Sequence, residues 1–449
     1  MKQLPRLKPL SALWQALGPD RLPALVEAGI GPVVGNRYLH YTEVQRRRPP
    51  AGLTTDEWWL GIKLARSQGR RAVPLVDAAG RPFSFVLADP VHEMLHRIDQ
   101  MAAGRIELPE EITGEASRER YIVNSLIEEA ITSSQMEGAS TTRVVAADMI
   151  RSGRNPVDRS ETMILNNYRA IESIRSLASR PLTPEMVLSL HETLTRDTLE
   201  NEAAAGRLQR PGDRRVQVVD NRSHEVLYTP PPATQLPERL ERMCRFANGE
   251  LDGDRFMHPV VRAVLLHFWL AHDHPFEDGN GRTARALFYW SMLASRYWLF
   301  EYVSISTVIK RSFARYARAY QYAESDENDL TYFLVYHLQA ILEAIKALEL
   351  YLQKKIQQLR DIEARLKSRT ELNHRQLALL SHALRHRGAE YTIQSHRNSH
   401  RVAYATARAD LRRLADLGYL AEGRRGNACV YRLAPAPPGI HSRPSFLMR

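Results

Sequence analysis

The sequence predicts a mainly α protein: a mixed α/β N-terminal domain, a long helical core broken by one β-hairpin, and a small C-terminal module of three helices and a hairpin. Three observations predict it. The 449 residues are enough for about three domains. Apolar residues recur at spacings of three and four through much of the chain from about Val91 to Lys367. Strand-like runs flanked by turn residues fall near the two ends and between about Gly206 and Pro232. Hydrophobic residues at 44% and charged residues at 25% match folded globular chains and exclude a disordered or fibrous molecule.

Taken in order, residues 1–90 mix short apolar runs with turn signals, so strands are expected there, with a hairpin turning at Asp77–Arg81. Helical periodicity begins at Val91. One helix has a clear start, with Thr183 as N-cap and Pro184 as the first helical residue, where the missing N–H would be unpaired anyway. Val216 and Val218 then alternate with polar neighbours, the chain turns at Asp220, Asn221, Arg222 and Ser223, and it returns through Val226, Leu227 and Tyr228 into three prolines. This hairpin must lie on the helical core, because an isolated hairpin buries too little to be stable. Helices resume to about Lys367. The expected parts are a mixed N-terminal domain (1–90), a helical core (91–345), a linker helix (346–370), a C-terminal module (371–435) and a Pro-rich loose tail (436–449).

The net charge of +11 is carried by arginine, since the chain has only eight lysines. Overall charge alone says little about nucleic acid, but its distribution says more. Residues 371–435 hold eleven arginines, five acidic residues and no lysine, which is +6 of the +11. In the last helix there, Leu411, Leu414 and Leu417 are spaced for packing. Arg401, Arg408, Arg412 and Arg413 are left to solvent, and a basic turn follows at Arg424-Arg425-Gly426-Asn427. Cys244 and Cys429 are too few and too far apart for a disulfide framework or a zinc cluster, so buried thiols in a reducing compartment are expected. With no signal-peptide pattern and no apolar run of membrane-spanning length, the expected location is cytoplasmic, with no membrane partner.

The chemistry concentrates in Val260–Leu293, two apolar helical flanks around a dozen polar, charged or glycine residues. Gly279-Asn280-Gly281 opens the second helix, whose free N–H groups favour an anion. Arg282 and Arg285 are three apart and can clamp a polyphosphate from one helix face. Asp278 can hold a divalent cation bridging phosphate oxygens, and His274 can accept a hydroxyl proton near neutral pH. Two other nucleotide or metal patterns overlap this stretch. Gly279, Gly281, Ala284 and Glu301 fit a dinucleotide fingerprint, but that fingerprint needs a strand before the glycines, and here a helix precedes them. His267, His272, Asp273 and His274 could supply metal ligands, but they lack the i, i+4 histidine pair of a zinc helix.

His274-Pro275-Phe276-Glu277-Asp278-Gly279-Asn280-Gly281-Arg282-Thr283-Ala284-Arg285 resembles the signature of the Fic family in every defining position. The resemblance implies a helical core that most often transfers AMP from ATP to a Ser, Thr or Tyr hydroxyl of a target protein. It implies His274 as the base and Asp278 as the holder of Mg²⁺. Gly279, Asn280 and Gly281 would form the anion hole, Arg282 would bind phosphates, Arg285 would meet the γ-phosphate, and Phe276 would anchor the loop. It also implies that the hairpin is a flap, with Val216, Gln217, Val218 and Val219 as the edge that pairs with the target backbone. Tyr316, Tyr320 and Tyr322 fall where related proteins shape the adenine pocket; which of them does so is left open.

Ser133-Ser134-Gln135-Met136-Glu137-Gly138 resembles the inhibitory motif of one class of Fic proteins, with Ser133 at its head and Glu137 pairing with Arg285. A carboxylate in that place would occupy the arginine and repel a triphosphate. Residues 371–435 resemble a winged helix-turn-helix, in which a recognition helix enters the DNA major groove; docking of a protein is the other reading. The expectation is a self-inhibited, Mg²⁺-dependent protein adenylyltransferase, with DNA and a second copy of the chain as further partners. The alternative is a DNA-binding regulator whose core senses ATP.

Overall fold

The computed structural model describes residues 4–102, 115–219, 226–367, 372–385, 388–425 and 428–438. The chain divides into two compact units, Met1–Leu348 and Glu349–Arg449. The first begins with helices α1 (Leu10–Ala16), α2 (Leu22–Glu27), α3 (Tyr41–Val44) and α4 (Thr55–Gln68), followed by the hairpin β1 (Arg70–Val76) and β2 (Pro82–Val86). The strands expected throughout 1–90 are therefore confined to its last part. α1 to α3 run for two turns or less, too short for a helical period to stand out. α4 is fixed by a capping box, in which Thr54 and Glu57 each accept the other's backbone N–H. The hairpin turn falls at Asp77–Arg81 as expected, with Asp77 N–H on the Arg81 carbonyl at 2.9 Å.

Helices α5 (Asp89–Ala102), α6 (Glu115–Met136), α7 (Arg143–Ser152), α8 (Arg159–Leu177) and α9 (Pro184–Thr195) follow. α9 starts as predicted, with the Thr183 hydroxyl accepting from Met186 N–H at 3.2 Å. Next come the short ladder of β3 (Val218–Val219) and β4 (Val226–Tyr228), then α10 (Leu236–Ala247), α11 (Pro259–Asp273), α12 (Asn280–Ala294), α13 (Ile305–Arg311), α14 (Phe313–Ser325) and the long α15 (Thr331–Lys367). α11 and α12 are buried on nearly every side, which marks central helices wrapped by the rest. α8, α9 and α10 pack around them, and Phe83 of β2 lies edge-on to Phe268 of α11 at 5.3 Å. The N-terminal helices join this core through charge: the ammonium of Lys63, 4% exposed, sits 2.6 Å from the Asp326 carboxylate.

The second unit holds α16 (His374–Arg385), α17 (Ile393–His400), α18 (Tyr404–Asp416) and a hairpin of β5 (Leu420–Arg425) and β6 (Ala428–Leu433). Leu380, Leu411, Leu414 and Tyr431 centre its core. Buried Asp410 ties the helices together by accepting from Asn373 Nδ2 at 2.8 Å, Arg375 Nε at 2.8 Å and His396 Nε2 at 3.3 Å. Gly426 and Asn427 of the basic turn, residues 439–449 of the tail, and the flap turn from Asp220 to Ser223 lie outside the described residues. Cys244 is buried, whereas Cys429 is only half-buried.

Candidate active site

His274 is the residue that ends α11. It takes a left-handed backbone, φ 47°, while its N–H still closes the last turn on Leu270. Its ring Nδ1 faces the Ala271 carbonyl at 3.2 Å. A carbonyl can only accept, so Nδ1 carries the proton and Nε2 keeps its lone pair. Burial holds the imidazole below its ordinary pKa; the Ala271 bond opposes this and the nearby Arg215 charge adds to it. The ring is thus neutral near pH 7, with an open acceptor nitrogen. Arg215, just before β3, caps the same helix end by donating to the carbonyls of Asp273 and His274, to Pro231 and to Gln209, which complements the negative end of the helix dipole.

The turn after His274 is locked from both sides. Phe276 N–H donates to Asn280 Oδ1 at 2.9 Å, and Asn280 Nδ2 returns a bond to the Phe276 carbonyl at 2.8 Å. Phe276 is fully buried and stacks on His191 of α9. His191 is held near pKa 4, chiefly by burial. Gly279 has φ 80°, and a Cβ there would come within 2.7 Å of Thr195 Cγ2, so backbone and space both demand glycine. Asn280 then opens α12.

Arg282 is buried with 0% exposure. Nη1 donates to the Leu194 carbonyl at 2.8 Å, while buried Nε and Nη2 have no hydrogen-bond partner among the described residues. Burial lowers its pKa, partly offset by Asp278. Two buried guanidinium donors without acceptors are costly unless an anion arrives. The Asp278 carboxylate is 42% exposed; its Oδ2 lies 3.5 Å from Arg282 Nη2 and 3.8 Å from Arg159 Nη2. A single open carboxylate beside phosphate-seeking cations suits a hard cation that takes most of its other oxygens from substrate and water.

Arg285, 2% exposed, donates through Nε to Ser133 Oγ at 2.8 Å, and through Nη2 to the Ser133 carbonyl at 3.1 Å and to Glu137 Oε1 at 2.7 Å. Burial alone would lower its pKa, but Glu137, with Tyr316 and Glu129 adding to it, raises it above the ordinary value and keeps the guanidinium charged. A Cβ on Gly281 would collide with the Glu137 carboxylate, so the carboxylate lies directly on the first turn of α12. α6, which ends at Met136 just before Glu137, is fastened two turns earlier. Buried Glu129 accepts from Tyr289 OH and Ser304 Oγ, each at 2.8 Å, from Ser306 N–H at 3.1 Å, and from Ser306 Oγ.

His274, Asp278, Gly279, Asn280, Gly281, Arg282, Arg285, Ser133 and Glu137 thus gather at one turn. In the flap, Val218 pairs with Tyr228 and Val219 with Val226. Val216 and Gln217 precede the ladder, Val216 N–H donating to Gln209 Oε1 at 3.4 Å and Gln217 Nε2 to Thr229 Oγ1 at 3.2 Å. The three tyrosines are engaged in packing: Tyr316 OH contacts His267 and Tyr320, Tyr320 stacks on Phe268, and Tyr322 stacks on His40. The alternative metal ligands are engaged elsewhere. Asp273 accepts from Arg239 and Trp269, His272 meets Tyr228, and His267 meets Tyr316. Sequence reasoning missed His191, Arg159, Arg215 and Glu129. For His191 and Glu129 the only signal was a polar residue on a helix face spaced for burial; exposed Arg159, and Arg215 outside any helix or strand, carried none.

A helical core that presents a helix N-terminus, two buried arginines and an open carboxylate has the donors and the charge to hold a phosphate. Residues 181–292 match the model of the Fic/DOC family. A protein adenylyltransferase Fic of Nematostella vectensis is 27% identical over 228 residues, 50% of this chain and 47% of that one; the relative of the same name in Drosophila ananassae is 45% identical over 60 residues, 13% and 12% of the two chains. The matched region thus spans about half the length of the first relative and about an eighth of the second. A Fic family protein from Desulfovibrio desulfuricans G20 shares the fold, with a TM-score of 0.51, 20% identity, and coverage of 78% of this chain and 98% of that one. The chain is thus similar to Fic proteins over residues 181–292 and shares their fold.

Proposed function

We propose that this chain is an autoinhibited protein adenylyltransferase. The observation that carries this is Arg282: two buried guanidinium nitrogens with no hydrogen-bond partner among the described residues, at the N-terminus of α12 beside Asp278 and the turn of His274. The turn amides and Arg282 would hold the ATP phosphates, and Asp278 would hold Mg²⁺, which supplies charge neutralisation on the leaving phosphates. His274 Nε2 takes the proton of a target Ser, Thr or Tyr hydroxyl, the oxygen attacks the α-phosphorus, and pyrophosphate leaves. Positioning and charge stabilisation supply most of the rate. Val218 and Val219 would pair with the target's backbone. Glu137 would act as the brake by holding Arg285 and covering Gly281. The test is intact-mass analysis of Glu137→Gly with ATP and Mg²⁺, beside a Glu137→Gly/His274→Ala double variant. One added AMP that is lost in the double variant supports transfer; ATP binding without a mass gain in either overturns it.

The three helices and hairpin of the second unit are read as a winged helix that meets duplex DNA. Arg401, Arg408, Arg412 and Arg413 are all exposed, and no ion pair engages them among the described residues. Duplex binding measured against salt should lose about 0.9 of slope per arginine replaced by alanine. An unchanged slope in the fourfold variant would favour a protein partner instead. No helix among the described residues is long and apolar enough to cross a membrane.

A further inference from the structure

His191 is sealed from solvent, and both of its ring nitrogens meet backbone groups. Nδ1 lies 3.1 Å from the Gly206 N–H, which can only donate, so Nδ1 carries the lone pair and Nε2 the proton. Nε2–H therefore donates to the Asp278 carbonyl at 2.9 Å. The ring face lies on Phe276, centroids 3.7 Å apart and planes 7° from parallel. The same ring edge lines the space beside Gly279, where a Cβ would stand 3.3 Å from Nε2. One side chain on α9 thus touches three successive landmarks of the turn: its buried aromatic, the backbone of its open carboxylate, and the glycine that starts α12.

We infer that His191 is a positioning residue of this site. By one hydrogen bond and one ring stack it sets where Asp278 and the N-terminus of α12 stand relative to His274. The backbone of Gly206, in the segment leading to the flap, fixes the ring's tautomer, so the loop after α9 and the phosphate-binding turn share one fulcrum. The role rests on the transfer reading for its kinetic consequence, but not for its geometry.

Two substitutions separate positioning from filling. His191→Phe keeps the volume and the stack but removes both hydrogen bonds. His191→Gln keeps an acceptor for Gly206 and a donor for Asp278 but removes the stack. Both are made in the full chain carrying Glu137→Gly. Steady-state transfer is measured against ATP concentration, and backbone hydrogen exchange is followed at residues 279–283 and, as a control, along α11. Positioning predicts that His191→Phe lowers kcat by about 10- to 100-fold with a smaller change in KM, that Gln recovers most of this, and that exchange quickens at 279–283 while α11 stays protected. Kinetic constants equal to the background, equal losses in Phe and Gln, or quickened exchange through α11 as well would overturn it. Should the Glu137→Gly background itself transfer no AMP, the transfer reading fails, and hydrogen exchange alone decides: selective quickening at 279–283 upholds the positioning role, and its absence overturns it.

Discussion

Replacing Glu137 by glycine removes a carboxylate from a nearly sealed guanidinium, and the structure sets the size of the effect. Glu137 Oε1 lies 2.7 Å from Arg285 Nη2; the arginine side chain is 2% exposed and the glutamate 25%. A hydrogen bond between charged partners is worth about 1.5–3 kcal/mol net. A triphosphate that must displace it to reach Arg285 loses that much, so its removal should raise kcat/KM for ATP by roughly 10- to 150-fold. Glu137→Gln keeps the bulk over Gly281 and loses the charge, so it should give only part of the gain. Arg285 itself should stay in place, because Ser133 holds it through Oγ and the backbone carbonyl. The assay is transfer of labelled AMP from ATP to the chain or to an added substrate, with both variants compared at one protein concentration. Equal rates in wild type and Glu137→Gly, with ATP binding intact in both, would refute the brake.

Further outcomes follow from the same geometry. Gly279→Ala combines a left-handed backbone with a collision on Thr195, so it should lower stability by about 1–3 kcal/mol and abolish transfer, read by thermal melting and the mass assay. Arg215→Ala leaves the carbonyls of Asp273, His274 and Pro231 without their donor; melting should fall by several degrees and kcat should drop with it. Unfolded histidines titrate near 6.5, whereas burial holds His40 and His191 near 4 and His337 near 3. The unfolded chain therefore takes up protons first as pH falls. The contribution is complete above about pH 6.5 and is lost towards pH 4, each histidine giving up roughly 1.4 kcal/mol for every pH unit crossed below its unfolded value. Melting at pH 7 should exceed melting at pH 5, and a flat profile would contradict this.

The sequence was most legible where one short run carried both local structure and chemistry. From His274 to Arg285 every residue needed for the turn lies within one loop and the first turns of a helix, so spacing alone could assemble it. Partners drawn from distant elements were harder. His191 lies on the buried face of α9, and only the fold brings it 87 residues along the chain to Asp278. Arg215 looked like one more arginine in a basic chain until it capped α11. In residues 1–54, helices of two turns or less mixed with glycines and prolines carry no clear period, and strands were expected there and over the longer α4 as well. Among the described residues the flap ladder pairs Val218 and Val219, while Val216 N–H turns to the Gln209 side chain and Gln217 reaches across to Thr229 only through its side chain.

The fastening at Glu129 limits what can move when the site is freed. Glu137 lies eight positions after Glu129, about 12 Å at the helical rise, and drawing α6 away would strand a buried carboxylate now satisfied by Tyr289, Ser304 and Ser306. Leaving a buried polar group without its hydrogen-bond partners costs about 1–3 kcal/mol, and more when the group is charged. On the autoinhibited reading proposed above, the moving part would be the tip of a fixed beam: the turn beyond Ser134 would swing while α6 stays fastened at Glu129. It follows that cutting away α6 would not yield an unlocked version of the same protein. It would pull a supporting member out from under α12 and α13, and a chain shortened in that way would report on collapse rather than on control.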